Sequence, residues 1–468
     1  MSGHGGASPA RELRGRIGLA EAVFALVGYI IGGSIFILPG ALAGSVGPGV
    51  FLAYLLAAVV ALFICVASAQ IGSAFPMSGG TYVAVSSVVS PFWGFMVVWM
   101  GVLVIFTSTS ALAYGLVDYM IPYMPFLSEH RFLGAVAGIV TFTGVNLLGI
   151  RTAVWVQIVM VLVFISVLWV VGVGGIMHSS VANFTPLFPL GIAAVLKTAV
   201  PAFYSYSGFS AIVTFGGEIE NPRRNIPMVL VISLPLIVLT YTLVTLAMPG
   251  VVPWQELGKG DATISRVASV FLPPSLGALI GAAAIFAIAT SINGLLLTKS
   301  RDVFSLALDQ VFPAALGKIG PFGEPRTALL AMCGVAILGV SFQRSFVEYA
   351  AMSVLCVMVI HILQGVAILL LPARMPRHFE AAGYKLSRPS RIFWGVGLII
   401  LASLFILSGL SNDRAGGVVY LIACGIGALW YFVRRAMLRS RGLSIEELLV
   451  HHAARALRPA AAAEPQAK

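Results

Sequence analysis

Twelve stretches of this chain run for about twenty residues with almost no charge, the length an α-helix needs to cross the hydrocarbon core of a bilayer. They cover residues 17–38, 48–72, 92–121, 132–149, 153–176, 194–217, 227–248, 275–307, 327–343, 345–371, 391–410 and 415–433. A backbone inside lipid must satisfy its own N–H and C=O groups, so the spanning options are helices or a closed barrel. The alternating pattern of barrel strands is absent, which leaves helices. Composition agrees. Charged residues are 10% of the 468 and apolar ones 59%, against roughly 25% charged in a soluble domain, too little polar surface to cover a core of this size. The expected fold is an all-α membrane protein of about 12 transmembrane helices.

Basic residues set the orientation. Arg11, Arg14 and Arg16 precede the first span, and Arg434, Arg435, Arg439 and Arg441 follow the last. Arg151, Arg223, Arg224, Lys299, Arg301, Lys318, Arg326, Arg374, Arg377, Lys385, Arg388 and Arg391 fall on the same side. The other side receives only Arg131, Lys197, Lys259, Arg266, Arg344 and Arg414. The positive-inside rule then places both termini in the cytoplasm of a multi-pass protein of the cytoplasmic membrane. This bias accounts for the +11 net charge, so no nucleic-acid partner is needed. Cys65, Cys333, Cys356 and Cys424 all lie inside spans and suggest no disulfide framework. The first apolar run lacks a cleavage site followed by a polar mature domain and reads as a retained span.

Glycine and serine placement adds the informative detail. The first span carries Gly28 and then Gly32-Gly33-Ser34 at mid-length, and the sixth carries Tyr204-Ser205-Tyr206-Ser207-Gly208-Phe209-Ser210. Small residues also permit close helix packing in membranes, which is the bland alternative at any one position. Two polar interruptions at the starts of two five-span halves point instead to a 5+5 inverted repeat with discontinuous helices 1 and 6 and a site at the midplane. The expected organisation is an N-terminal arm (1–15), a first repeat (16–176), a second repeat (194–371), two further C-terminal helices (391–433) and a tail (434–468). In the tail, Ser444 and Glu447 have the spacing of a capping box for a surface helix ending near Arg458.

At these residues the chain resembles the amino acid–polyamine–organocation superfamily of transporters. The stretches that carry the resemblance are Ile31-Gly32-Gly33-Ser34-Ile35-Phe36 and Phe75-Pro76-Met77-Ser78-Gly79-Gly80-Thr81-Tyr82. Tyr206-Ser207-Gly208-Phe209, Glu218-Ile219-Glu220-Asn221-Pro222-Arg223-Arg224-Asn225-Ile226-Pro227, Asn293 and Ser300-Arg301 continue it, with Phe312-Pro313 and Pro325-Arg326-Thr327 downstream. The resemblance implies secondary active transport of amino acids by alternating access, with substrate held by Gly32, Gly33, Ser34 and Ile35 of span 1 and Ser205, Ser207, Gly208, Phe209 and Ser210 of span 6. The physics stands without the family. A helix broken at mid-membrane presents unpaired N–H groups and a positive dipole end to a carboxylate, while the preceding end offers carbonyl oxygens to an ammonium group or a cation. The family's first-span motif usually reads Gly-Ser-Gly, and here it is Gly-Gly-Ser. Ser210 stands where members handling cations can carry an acid. The midplane is therefore uncharged, and small-to-medium neutral amino acids are the expected substrates. A bulky residue at Gly33 or Gly208 is expected to block the ligand while leaving the fold intact.

Tyr204 aligns with the family's aromatic gate, although an ordinary buried aromatic is an equal reading. Glu218 closes span 6 beside Arg223 and Arg224, as an ion-pair latch or as a static anchor. Residues 152–176 contain no lysine, and Phe164 occupies the position where some proton-coupled relatives carry one. Sodium is then slightly favoured over a proton as coupling ion, held by Thr290 and Ser291 hydroxyls and the Gly28 and Ile31 carbonyls, since hard cations take oxygen ligands. His361 in span 10 is either a proton carrier or a neutral, satisfied histidine. No cofactor and no zinc cluster, nucleophile elbow or phosphate loop is expected, so nothing points to an enzyme or an ATP-driven pump. Two alternatives remain: a polyamine or organic-cation carrier, and a non-transporting sensor or partner subunit. The first calls for acidic residues at mid-depth, and none occurs in 30–36 or 203–213; the second calls for a soluble domain, and about 35 residues follow the last span. The amino acid and the lipid bilayer are the expected partners; the sequence leaves the oligomeric state open.

Overall fold

The computed structural model describes residues 17–258, 263–412, 414–445 and 448. The arm 1–15, and the tail helix apart from its first residues, lie outside them. Helices account for nearly all of the regular structure. α1 (Leu19–Ile31) and α2 (Ser34–Val46) are two halves of one interrupted rod, and a Gly47-Pro48-Gly49 turn leads into α3 (Val50–Ala74). After α3 the Phe75-Pro76 pair ends the helix, because the residue before a proline is pushed out of the α region. α4 (Gly80–Val88) is short. Ser90 caps α5 (Pro91–Val104), its Oγ accepting from the Trp93 N–H at 3.4 Å with proline in the first turn.

α5 passes through a π-helical turn at Ile105–Thr109 into α6 (Ser110–Met120). α7 (Arg131–Leu147) and α8 (Ile150–Met177) follow, then α9 (Ile192–Phe203) and the single-turn α10 (Ala211–Thr214). α11 (Pro222–Val251) begins at a left-handed Asn221 with proline at its first position. α12 (Trp254–Leu257) and α13 (Thr263–Ser269) are short, α14 (Gly277–Leu308) is the longest, and α15 (Arg326–Val340) precedes α16 (Phe346–Arg374). A capping box opens α16: the Glu348 N–H donates to Ser345 Oγ at 3.3 Å and the Ser345 N–H to Glu348 Oε2 at 2.9 Å. α17 (Pro376–Ala381), α18 (Arg388–Asn412) and α19 (Arg414–Ser440) complete the chain.

Among the described residues, 8 helical stretches are long and apolar enough to cross a membrane. The first and second expected spans merge into one of them, Leu19–Ala74. The fourth and ninth are apolar helices of 17 and 15 residues, which at about 1.5 Å per residue fall short of the bilayer core. The sixth is divided into pieces that are each too short. Twelve apolar runs therefore do not translate into twelve uniform rods, because hydropathy does not register where a helix stops and restarts.

α14 runs through the centre, packed against α1, α6, α7, α8 and α15, while α11 lies along α3 and α8. The periphery is apolar: Val231 is 67% exposed, Leu407 64% and Leu429 66%, surfaces that only lipid tails would cover. Polar groups are concentrated inside. Asn146 Nδ2 donates to Asn293 Oδ1 at 2.7 Å, Asn293 Nδ2 to Gln157 Oε1 at 2.7 Å, and Gln157 Nε2 to the Ala25 carbonyl at 2.7 Å. This amide chain ties α7, α14, α8 and α1 together at fixed rotation, since turning one helix would strand a buried amide.

Candidate functional site

The interruption between α1 and α2 is built by two glycines. Gly32 has φ +37°, a conformation that L side chains rarely adopt, and a Cβ there would stand 1.6 Å from Ser291 Oγ. Phe36 is the first amide of α2 to bond back, to the Gly33 carbonyl at 3.1 Å. The N–H groups of Ser34 and Ile35 therefore open onto the break at the positive end of α2. Ser34 Oγ donates to the Ile31 carbonyl at 3.2 Å. The second interruption follows α9: a 3₁₀ turn at Tyr204–Tyr206, extended Ser207, and Gly208 at φ +131°. Tyr241 of α11 joins the two breaks. Its hydroxyl donates to the Ser205 carbonyl at 2.7 Å and lies 3.1 Å from the Ile30 carbonyl. The Tyr54 and Ser205 hydroxyls are 3.3 Å apart.

The breaks flank a small cavity of ≈ 50 Å³. Of the expected site residues, Ser34, Tyr204, Ser207, Gly208, Ser210 and Ser291 line it. Gly32, Gly33 and Ile35 form the bend behind Ser34, and Ser205 is turned into the tyrosine cluster. Phe209 is fully buried and does not line the cavity, so its expected part in a side-chain pocket is corrected: the bend at Gly208 turns the ring into the helix core. The two expected steric blocks are corrected as well. A Cβ on Gly33 would sit 2.4 Å from Ile288 Cγ1, and one on Gly208 2.5 Å from Tyr29 Cε1. Both glycines therefore serve helix packing, and a bulky substitution would damage the fold itself.

Several lining residues carry no motif. Ser108, in the π-helical turn, donates to Ser353 Oγ at 2.8 Å, and Thr107 and Ser353 hydroxyls are 2.6 Å apart. The signal was there: Thr107-Ser108-Thr109-Ser110 is a run of four hydroxyls inside an apolar span. His361 lines the cavity too, with Nδ1 2.8 Å from Gln364 Oε1. Lys299, within the eighth expected span and counted toward its cytoplasmic side, sits inside α14 and lines the cavity. Its Nζ donates to Asp302 Oδ2 at 3.1 Å, and Thr214 Oγ1 donates to Asp302 Oδ1 at 3.1 Å.

At one end of the cavity the Tyr204 ring meets Phe346 edge-on, centroids 5.8 Å apart. Phe346 also lines a second cavity of ≈ 690 Å³, beside the Asp118–Arg131 ion pair, so the two rings separate one space from the other. At the opposite end Glu218 is closed off, but its partner is Arg301 of α14, through Nε and, at 2.9 Å, Nη2. The expected pairing with Arg223 or Arg224 is corrected: both lie in the first turn of α11, where Arg223 donates to the Ala381 carbonyl. Arg301 also donates to the Leu297 carbonyl at 2.6 Å and lies over the Phe215 ring. Around this pair, the Ile17 N–H bonds the Glu218 carbonyl at 2.9 Å and Ser305 Oγ donates to the Ser78 carbonyl at 3.1 Å.

Of the expected cation ligands, Thr290 Oγ1 lies 2.9 Å from the Gly28 carbonyl. Ser291 Oγ reaches the Tyr29 carbonyl at 3.2 Å, whereas the Ile31 carbonyl is taken by Ser34. Tyr29 thus stands beside Ser291 in place of Ile31, the last residue of α1, whose carbonyl faces Ser34 and the Tyr241 hydroxyl instead of α14.

A profile of the amino acid permease family matches residues 17–428. An uncharacterised transporter of Mycobacterium tuberculosis is 30% identical over 92% of this chain and 93% of its own length. A branched-chain amino acid permease of Bacillus subtilis is 25% identical over 90% of this chain and 93% of its own. A chloroplastic cationic amino acid transporter of Arabidopsis thaliana is 27% identical over 65% of this chain and 57% of its own.

Proposed function

The chain belongs to the amino acid permease family, within the amino acid–polyamine–organocation superfamily, and we propose that it moves small-to-medium neutral amino acids by alternating access. The observation that carries this reading is the pair of helix interruptions, at Gly32-Gly33 and at Tyr204–Ser210, facing one cavity. In this mechanism the substrate carboxylate sits on the Ser34 and Ile35 N–H groups, and its ammonium on carbonyl oxygens at the ends of α1 and α9. Tyr204 with Phe346 forms one gate and Glu218 with Arg301 the other, each opening while its counterpart stays shut. Residues 16–176 and 194–371 are then two inverted repeats, 391–433 two added spans, and the arm and tail both cytoplasmic, as the basic-residue bias supports.

The absence of acidic residues among the described lining supports neutral over cationic substrates, since Asp302 beside it is already paired with Lys299 and leaves no free carboxylate for arginine, lysine or polyamines. For coupling we favour sodium, held by Thr290 and Ser291 hydroxyls with the Gly28 and Tyr29 carbonyls, an all-oxygen set suited to a hard cation. Uptake into proteoliposomes tests both. Neutral amino acids should compete best, and uptake should rise with external sodium at fixed pH and potential, with Thr290→Val blunting that rise. Competition mainly by arginine, lysine or putrescine would overturn the substrate class. Transport indifferent to sodium and driven by a pH gradient would overturn the ion.

A further inference from the structure

Lys299 is the one permanently cationic side chain among the described residues lining the cavity, and neither the family motifs nor the gates account for it. A lysine in a membrane interior is costly and is retained where it has something to bind. Its position is built for it. Ser291, Leu295 and Lys299 recur every four residues on one face of α14, so all three open on the cavity. Gly101 of α5 makes room for the stem: a Cβ there would come within 3.2 Å of the lysine Cδ. The ammonium has three N–H donors, and Asp302 Oδ2 takes one of them at 3.1 Å. The side chains are 13% and 8% exposed, so the pair is largely withdrawn from solvent.

We propose that Lys299 reads the far end of the substrate side chain, and that the preferred substrate ends in a carboxamide, as in glutamine. This substrate preference rests on the amino acid reading above and narrows it. Eight residues of α14 separate Ser291, beside the α1–α2 break, from Lys299, about 12 Å along the helix axis. An amino acid with its carboxylate on Ser34 therefore presents a side chain of glutamine length toward the ammonium. The terminal group is decided by charge. Asp302 already balances Lys299, so a neutral carbonyl oxygen can accept from a remaining N–H without adding a buried charge. A carboxylate would add one, and so would a cationic side chain. Ser210 and His361 line the same cavity and suit the amide N–H₂, which a carboxylate lacks.

The test is ligand-induced thermal stabilisation of the purified full-length protein with glutamine, methionine, glutamate, alanine and leucine. Methionine matches glutamine in length but lacks the acceptor, and glutamate matches its shape but carries charge. Glutamine should bind about ten- to a hundredfold tighter than methionine, the effect of one hydrogen bond to a charged group. In Lys299→Met/Asp302→Asn, which leaves no unpaired charge, that ratio should collapse. If the variant does not fold, the wild-type ratio alone decides. Methionine equal to glutamine, glutamate tighter than glutamine, or an unchanged ratio in the variant would overturn the proposal while the amino acid reading stands. No stabilisation by any of the five amino acids would overturn both.

Discussion

Arg301→Ala should lower folding stability by about 3–5 kcal/mol, because it strands a buried carboxylate. The Glu218 side chain is 1% exposed and accepts both of its bonds from a guanidinium that is itself 2% exposed. Solvent screening is therefore minimal. Removing the cation leaves Glu218 to be desolvated without a partner, or forces water into the packed end of the molecule. Arg301 also holds the Leu297 carbonyl and covers the Phe215 ring, so the loss spreads into α14 and the segment after α10. Thermal unfolding of the detergent-solubilised protein reads the effect. The double variant Arg301→Ala/Glu218→Ala should unfold at a higher temperature than Arg301→Ala alone, since it removes the orphaned charge. A single variant that unfolds with wild type would mean that the pair contributes nothing.

Gly33→Leu should fail at folding before it fails at binding. The first carbon of any side chain would already meet Ile288 at 2.4 Å, with the Ile288 Cα at 3.1 Å behind it, so a rotamer change cannot clear the space. Overpacking a close helix contact costs about 1–3 kcal/mol or more. Here it pushes α14 from α1, where Thr290 and Ser291 bond α1 carbonyls. Size-exclusion chromatography in detergent should show aggregated Gly33→Leu, while Gly33→Ala paired with Ile288→Ala should recover a monodisperse peak. A folded, monodisperse Gly33→Leu that no longer binds substrate would refute this and restore a purely local block at the ligand site.

Both results turn on contacts between residues far apart in the chain, and that marks the boundary of what could be read in advance. Two apolar runs interrupted by glycine and serine were visible at Gly32-Gly33-Ser34 and Tyr204–Ser210, and the helices do stop there. Ser34, Ser207, Gly208, Ser210 and Tyr204 reach the cavity as expected from their place at the breaks. Phe209 does not, since one residue of bend decides which way a ring faces. Ser108 and Ser353 sat in spans with no family motif, although the hydroxyl run around Ser108 was a usable sign.

The sequence by itself determined that this is an all-helical membrane protein with interrupted helices. In lipid a helix satisfies its backbone locally, so a run of apolar residues is sufficient information for the element, and glycine for its interruption. Only the tertiary structure decided that Glu218 meets Arg301 rather than its neighbours Arg223 and Arg224, and that Lys299 of the eighth span faces the cavity. Those outcomes depend on how far each helix is rotated about its axis and how deep it sits. Rotation is set by the whole set of packed neighbours, including the Asn146–Asn293–Gln157 amide chain and the glycines that let α1 approach α14. No local stretch contains that information, because a helix presents every residue to some direction and only its partners select which one matters.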